Sequence, residues 1–226
     1  MDNLETYIIN LLISVIFSVF SIGLVKLITH LRRNKNEEIV VMPSVRFKAI
    51  FFSLTIILNL VAAWMITHFY IGNSVVFIIN RFAILTILWV SAYFDIKSFV
   101  IPNQIIIIGL AAKVLMLGIE FIFERDGLGV KFLEQLITAV VLVVVGIVFS
   151  IIMKNGIGMG DIKLFAVMGL FFGTMGSLTA IFLSLVASFF VSIAYLILKK
   201  ATKKDPVPFA PCALAGTYIA VIIFGV

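Results

Sequence analysis

The chain has 226 residues, of which 63% belong to the hydrophobic set and only 12% are charged. Soluble domains contain roughly 45–50% apolar and about 25% charged residues, and they could not hide this much apolar surface from water. The composition therefore excludes an ordinary soluble protein and predicts a single membrane-embedded domain over residues 1–226. The formal net charge of +6 comes from basic residues beside apolar segments. That pattern follows the positive-inside rule of membrane proteins, so it predicts cytoplasmic loops rather than nucleic-acid binding.

All predicted elements are α-helices, and the fold class is a polytopic transmembrane bundle of about eight helices. A helix needs about 20 mostly apolar residues to cross the bilayer. The candidate spans in chain order are 6–31, 49–69, 75–95, 104–123, 133–153, 161–177, 178–198 and 207–225. The sixth segment is short and borders the seventh directly, so six to eight spans are compatible with the sequence.

Basic residues divide unevenly between the ends of these segments. The short loop over residues 32–48 is basic, as is the loop over 199–204, and both fall on the same predicted side. Since loops rich in lysine and arginine stay in the cytoplasm, we predict a multi-pass protein of the cell membrane. Both termini are expected outside, and the basic loops are expected inside.

Two basic residues fall within predicted helices. Arg81 lies about two turns into the third segment, and Lys113 lies near the middle of the fourth. A charge at this depth costs free energy and can mark function. We expect structural roles instead, with Arg81 extending to the membrane surface and Lys113 facing a cavity.

Two of the eleven carboxylates, Asp95 and Asp161, lie at helix ends on the predicted cytoplasmic side. Two carboxylates that share a site cannot both ionise easily, so one keeps its proton while the other acts as a base. Taken alone, Asp161 would be explained as a helix N-cap and Asp95 as an interfacial charge. Together they predict an acid–base pair. Because a helix start favours negative charge, we expect Asp161 to be ionised and Asp95 to be protonated.

Glycines precede the second aspartate. Gly156, Gly158 and Gly160 lie just before Asp161 and would allow a sharp turn and the close approach of a substrate backbone. We predict that this segment forms part of the active site and moves when substrate enters. A static tight turn is the alternative explanation for the same glycines.

Each aspartate begins the tripeptide Asp-Ile-Lys, which places Lys97 and Lys163 near the site. Two residues on a helix are about 200° apart, so Lys163 should point away from its aspartate and toward lipid headgroups. After Asp95, Pro102 and Asn103 mark a turn before the next helix.

Three short motifs lie between about residues 88 and 222. The run from Gly158 to Phe165 reads Gly-Met-Gly-Asp-Ile-Lys-Leu-Phe, and Asp95 is followed by Ile-Pro-Asn at 101–103. The third motif is Pro208-Phe209-Ala210-Pro211. Together they resemble the type IV prepilin peptidases and preflagellin peptidases, whose second aspartate follows Gly-x-Gly and whose C-terminal segment reads Pro-Phe-Gly-Pro. Ala210 replaces the glycine of that segment.

The resemblance implies a membrane aspartic endopeptidase that removes the short basic leader of prepilin-like precursors at the cytoplasmic face. It implies Asp95 and Asp161 as the catalytic residues and the other motif residues as their support, with no metal and no organic cofactor. The partners would be precursors with an apolar N-terminal helix and membrane lipid, with no nucleic acid. No motif indicates an oligomeric state.

The larger bacterial members of the family that this chain resembles also carry paired Cys-x-x-Cys motifs, and they methylate the new N-terminus of the cleaved precursor. The 32–48 loop contains no cysteine, so the chain resembles a compact form from which methylation is not expected. Two other classes stay open, a small proton-coupled transporter and a non-catalytic assembly protein. Transport carboxylates usually lie near the midplane on broken helices, whereas these aspartates lie at one predicted face.

Overall fold

A computed structural model describes residues 3–34, 44–69, 74–152, 157–198 and 207–225, and within these ranges every regular element is an α-helix. The helices are α1 (Asn3–Asn34), α2 (Val45–Phe69), α3 (Val75–Ser98), α4 (Asn103–Phe123), α5 (Leu128–Ile152), α6 (Met159–Ile197) and α7 (Ala210–Phe224). Six of these seven are long and apolar enough to cross a membrane, while α7 is a shorter apolar helix. The predicted polytopic helical bundle is confirmed. The edges of the 32–48 loop are helical, and its centre lies outside the described ranges.

The central helix of the bundle is α3, which is buried without interruption from Asn80 to Asp95. Phe82, Leu85 and Trp89 are among its fully packed side chains. The outer helices instead leave large apolar side chains exposed. In lipid such exposure costs little, because the lipid tails are as apolar as these side chains.

A buried polar network fastens α1 and α2 to this core. Asn59 of α2 donates from Nδ2 to Ser18 Oγ of α1 at 2.8 Å, and its Oδ1 accepts a hydrogen bond from the Tyr218 hydroxyl of α7. Trp89 of α3 donates from Nε1 to the same hydroxyl at 2.6 Å. Four helices therefore meet through one chain of side-chain hydrogen bonds, which fixes how they pack.

The helix α6 reverses direction at Gly173, whose φ of 68° and ψ of −166° lie outside the helical region. Before this residue, Gly169 packs against Ala139 of α5, so the first arm runs beside α5. After it, Ser184 packs against Gly216 of α7. The predicted spans 161–177 and 178–198 correspond to these two arms, but the predicted boundary lies one turn too late. Glycine takes a positive φ at no steric cost, which is why the turn forms here.

The turn at Gly173 is held by charged side chains on both sides. The arm from Met159 to Phe172 is about 21 Å long at 1.5 Å per residue, shorter than a hydrocarbon core of about 30 Å. Backbone groups that leave a helix at this depth need partners within the protein. Arg81 Nη1 donates to the Phe171 carbonyl at 3.2 Å, and Glu134 Oε1 accepts from the Thr174 N–H at 3.0 Å.

The structure corrects the roles expected for Arg81 and Lys113. Arg81 does not extend to the membrane surface, since only 8% of it is exposed and its guanidinium stacks over Phe77 at 4.3 Å. Lys113 is buried, and its ammonium lies 3.5 Å from Glu120 Oε1, so an ion pair on its own helix accounts for its position. Lys113 and Glu120 are two turns apart on α4, so one helix face carries both members of the ion pair.

Candidate active site

Asp95 lies one turn before the end of α3, where its side chain is buried. The carboxylate accepts a hydrogen bond from the backbone N–H of Ala210 at 2.8 Å, and the neighbouring backbone N–H of Phe209 also stabilises its charge. These belong to the first turn of α7, whose N–H groups have no partner within their own helix. The positive end of the α7 dipole is therefore directed at Asp95.

Asp161 is the third residue of α6, and the nearby backbone N–H of Gly158 stabilises the charge of its carboxylate. The N-cap of α6 is Gly158, so the N-cap role considered for Asp161 is wrong by three residues. A carboxylate that reaches back from this position to the N-cap N–H forms half of a capping box. The same carboxylate lies close enough to Asp95 for the two to interact electrostatically. The structure therefore brings both aspartates to one end of the bundle.

The glycines before Asp161 are explained by close approach rather than by unusual backbone angles. Gly158 has φ −67° and ψ 141°, which any residue can adopt. A Cβ on Gly160 would lie 3.1 Å from the Cβ of Ile101, and a Cβ on Gly158 would lie 3.1 Å from Asp161 Oδ2. Gly156 lies outside the described ranges. Gly160 thus lets the start of α6 pack directly against the segment that follows α3.

The segment between α3 and α4 is fixed to the start of α6 by a second contact. Pro102 is the N-cap of α4, and Asn103 is the first residue of that helix. Asn103 Oδ1 accepts a hydrogen bond from Lys163 Nζ at 2.8 Å. The exposed Lys163 therefore joins the start of α6 to the start of α4, and its anchoring among headgroups stays a prediction.

Comparison with known proteins gives a consistent result. The model of the type IV leader peptidase family matches residues 82–197. The chain belongs to this family. A prepilin leader peptidase/N-methyltransferase of Bacillus subtilis is 30% identical over 136 residues, which cover 60% of this chain and 52% of that protein. The chain thus spans about half the length of this curated relative, and no solved structure matches it.

The stretch that matches the leader peptidase family contains both aspartates and all of α6, whereas α7 lies outside it. Yet α7 supplies the N–H groups that hold Asp95. Pro211 is the second residue of α7, a position where its missing N–H costs no helical bond. Pro208 accepts a hydrogen bond from Cys212 Sγ at 3.9 Å, and the Phe209 ring packs edge-on against Phe165 at 5.4 Å. These contacts fix the first turn of α7 against α6.

Lys97 supports the same end of the molecule in a different way. Its ammonium lies 3.9 Å from the centroid of the Phe47 ring, which joins the end of α3 to the start of α2. The helix then ends at Phe99, whose φ of 51° is left-handed and whose N–H donates to the Asp95 carbonyl at 2.9 Å.

Sequence reasoning missed the donors that matter most at Asp95, because they are backbone groups. The Pro-Phe-Ala-Pro segment was noticed, but residue types do not reveal which carboxylate a helix N-terminus faces. The available signal was a proline within the first turn of a short apolar helix. In the part of the chain that the structure describes, no group of three or more His, Cys, Asp or Glu side chains could hold a metal ion.

Proposed function

We propose that the chain is an aspartic endopeptidase in which Asp95 and Asp161 together activate water. The observation that carries this proposal is the placement of both carboxylates at one end of the bundle, each near backbone N–H groups at the start of a helix. Membership of the leader peptidase family supports the choice of peptide hydrolysis over transport or a non-catalytic assembly role.

The hydrogen bonds favour a division of labour opposite to the one expected from the sequence. Asp95 accepts a hydrogen bond from the Ala210 N–H at 2.8 Å and faces the start of α7, whereas the only backbone donor near the Asp161 carboxylate is the N–H of Gly158 in the described part of the chain. Donors aimed at a carboxylate stabilise its negative charge. We therefore assign the ionised base to Asp95 and the protonated acid to Asp161. The opposite assignment expected from the sequence considered only the dipoles of α3 and α6, and it did not include the dipole of α7.

In this mechanism Asp95 removes a proton from water as the water oxygen attacks the scissile carbonyl carbon. Asp161 donates its proton to the carbonyl oxygen, which stabilises the tetrahedral intermediate. When the intermediate collapses, the C–N bond breaks and the amine leaves with a proton from the dyad. The products are a free carboxylate on the leader and a free amine on the mature chain.

The substrates that fit this assignment are prepilin-like precursors with a short basic leader, a glycine before the cut and an apolar helix after it. The name of the Bacillus subtilis relative, a prepilin leader peptidase/N-methyltransferase, supports this class. That name also includes N-methyltransferase, an activity we do not extend to this chain because its 32–48 loop has no cysteine. Cleavage would occur at the cytoplasmic face, in a cell membrane that holds both the enzyme and the substrate helix.

Co-expression with a candidate prepilin tests the proposal by loss of the leader. Asp95→Asn and Asp161→Asn should each lower cleavage by at least about 100-fold, since general acid–base groups contribute about 10²–10⁴. Asp126→Asn, in the exposed turn between α4 and α5, is the matched control and should cleave normally. Normal cleavage by either active-site variant, in membranes that contain equal amounts of protein, would refute the dyad.

The cytoplasmic placement is tested separately with cysteines in a Cys212→Ser background. A cysteine at Ser44, beside the basic loop, should be shielded from an impermeant thiol reagent in intact cells. A cysteine at Asp126, at the other end of the bundle, should react. Asp126 is preferred to Gly127, whose φ of 70° disfavours any side chain. The reverse labelling pattern would place the aspartates outside.

A further inference from the structure

A cavity of about 200 Å³ lies between α3, α4, α5 and α6, at the end of the bundle opposite Asp95. Its lining includes Asn80 and Arg81 of α3, which are buried, and Lys131 of α5, which is exposed. The cavity therefore runs from the protein surface to the charged cluster around Arg81. It shares no lining residue with the aspartate site.

Buried hydrogen-bonding atoms in the lining have no partner. They are Arg81 Nε, Asn80 Oδ1 and Gln135 Oε1. Only 8% of Arg81 and 7% of Asn80 are exposed. Other atoms of these two side chains are engaged, since Arg81 Nη1 donates to Phe171 and Asn80 Nδ2 donates to Glu120 at 3.3 Å. Because buried polar atoms are normally paired, the cavity suits an occupant that accepts one hydrogen bond and donates two.

The charges of the lining narrow the chemistry of that occupant. Arg81 and Lys131 are cationic, and Glu120 and Glu124 are anionic, so the two signs balance. Glu120 is already paired with Lys113. A simple anion would leave Glu124 and the amide oxygens without donors. A group that combines a phosphate with a primary ammonium satisfies both sides, with the phosphate on Arg81 and Lys131 and the ammonium on the oxygen acceptors.

The residues around the opening of this cavity at the protein surface indicate where such a group would come from. The cavity shares Phe77, Glu124 and Lys131 with a wider surface groove of about 490 Å³. That groove is also lined by Ile122 and Phe123, which are 72% and 73% exposed. A pocket for a drug-sized ligand usually has roughly 300–1,000 Å³, so the inner cavity suits a headgroup, and the exposed Ile122 and Phe123 beside its opening suit acyl chains.

We propose that this cavity binds the headgroup of a phospholipid that carries a phosphate and a primary ammonium, as phosphatidylethanolamine does. The phosphate accepts from Arg81 Nε and from Lys131. The ammonium donates to Asn80, Gln135 and Glu124. The acyl chains leave the opening of the cavity past the exposed side chains of Ile122 and Phe123. This site is separate from the proposed catalytic dyad, and its occupation can be measured without any peptidase assay.

The test uses the full chain purified in detergent and follows its thermal unfolding temperature as lipid is added. A ligand that binds only the folded state raises this temperature. Short-chain phosphatidylethanolamine should act at a concentration at least about tenfold lower than phosphatidylcholine or phosphatidylglycerol. Phosphatidylcholine lacks N–H donors on its ammonium, and phosphatidylglycerol lacks the ammonium altogether. Glycerophosphoethanolamine, which has the headgroup without chains, should bind more weakly than the lipid.

Two variants connect the effect to the cavity. Lys131→Gln and Gln135→Leu should each weaken the response to phosphatidylethanolamine by about tenfold, because a hydrogen bond that involves a charged group is lost. Lys26→Gln, at an exposed position on α1, is the control and should leave the response unchanged. An equal response to all three lipids, an unchanged response in Lys131→Gln, or no response to any lipid would overturn the proposal. Equal binding of glycerophosphoethanolamine would exclude the membrane as the source of the ligand.

Discussion

The two ends of α3 carry charge in opposite ways. At one end Asp95 accepts backbone N–H groups from the start of α7. At the other end, about 21 Å away along the helix, Arg81 and Lys113 lie with Glu120 in a cluster that contains both signs. Ion pairing neutralises a buried charge and stabilises one arrangement of helices. Donors with no charge of their own hold a carboxylate in place while leaving it able to exchange a proton.

This difference predicts that the two ends respond differently to substitution. Changes near Asp95 should lower activity while the protein stays folded, because the backbone donors orient a reactive group. Changes near Arg81 should lower stability and leave the chemistry of the folded fraction unchanged, because that cluster supports the turn of α6. Each of the following variants tests one side of this comparison.

Among variants that keep both aspartates, the largest effect is expected from Ala210→Pro. Proline removes the N–H that donates to Asp95 Oδ2 at 2.8 Å and places its ring Cδ against that carboxylate, and it also disfavours the helical backbone angles of Phe209. Losing a hydrogen bond to a charged group costs about 1.5–3 kcal/mol, so cleavage should fall by roughly 10- to 100-fold. The rate of leader removal by purified protein measures this.

Ala210→Gly is the matched control for the proline variant. It keeps the N–H, and it restores the glycine found in the family segment that residues 208–211 resemble. Cleavage by this variant should stay close to that of the unmodified protein. If Ala210→Pro also cleaves normally, the α7 donors do not control Asp95, and the assignment of the ionised base to that residue loses its support.

A smaller loss is expected from Gly160→Ala. Its Cβ would lie 3.1 Å from the Cβ of Ile101, a branched side chain beside Pro102 that has little room to move. Overpacking costs about 1–3 kcal/mol, and the strain acts on the contact that sets Asp161 against the end of α3. We expect about tenfold slower cleavage. Gly118→Ala, with no atom within 4 Å of the new Cβ, should be unaffected.

Sequence patterns were sufficient for the features that depend on residue type. Apolar length predicted the helices, and the positions of the aspartates at helix ends predicted that Asp95 and Asp161 would share one end of the bundle. The lengths of the apolar segments also predicted that the region of α6 would cross the bundle twice, in opposite directions. The turn between the arms of α6 was predicted too late in the chain, because Gly169 and Gly173 form a small-xxx-small pair that is typical of helix packing. Only the backbone angles show that the second glycine ends a helix.

Features that depend on which helices become neighbours could not be predicted in the same way. Arg81 reaches a carbonyl 90 positions away, and Asp95 reaches an N–H 115 positions away. Both partners are backbone groups, which leave no trace in residue type. The catalytic role of the two aspartates stays a prediction, and so does the treatment of residues 1–226 as one domain.

At the opposite end of α3, Glu134→Gln and Arg81→Gln should lower stability. Each weakens a charge-assisted hydrogen bond at the Gly173 turn, and Arg81→Gln also leaves the Phe171 carbonyl without its donor. A loss of about 1–3 kcal/mol corresponds to a decrease of roughly 2–12 °C in the unfolding temperature of a chain of this size. Cleavage per folded molecule at 25 °C should not change, and the exposed Lys26→Gln supplies the baseline. A strong decrease in that specific rate would show that the two ends are coupled.

The smallest effect is expected from Gly158→Ala, and it decides whether the segment before Asp161 must move. The angles at Gly158 suit alanine, so the backbone has no need of glycine there in this conformation. The new Cβ would lie 3.1 Å from Asp161 Oδ2, which can withdraw by a few tenths of an ångström because it is the end of a side chain. Misplacement by 1 Å can cost about 100-fold in rate, so a shift this small should cost about two- to threefold.

A segment that opens for substrate would need the wider backbone freedom of glycine in its other conformation. If the segment does open for substrate, Gly158→Ala should slow cleavage about as much as Gly160→Ala. The loss should then lie mainly in kcat, as expected for a conformational step. Steady-state kinetics of the two alanine variants therefore distinguish a static turn from a moving one.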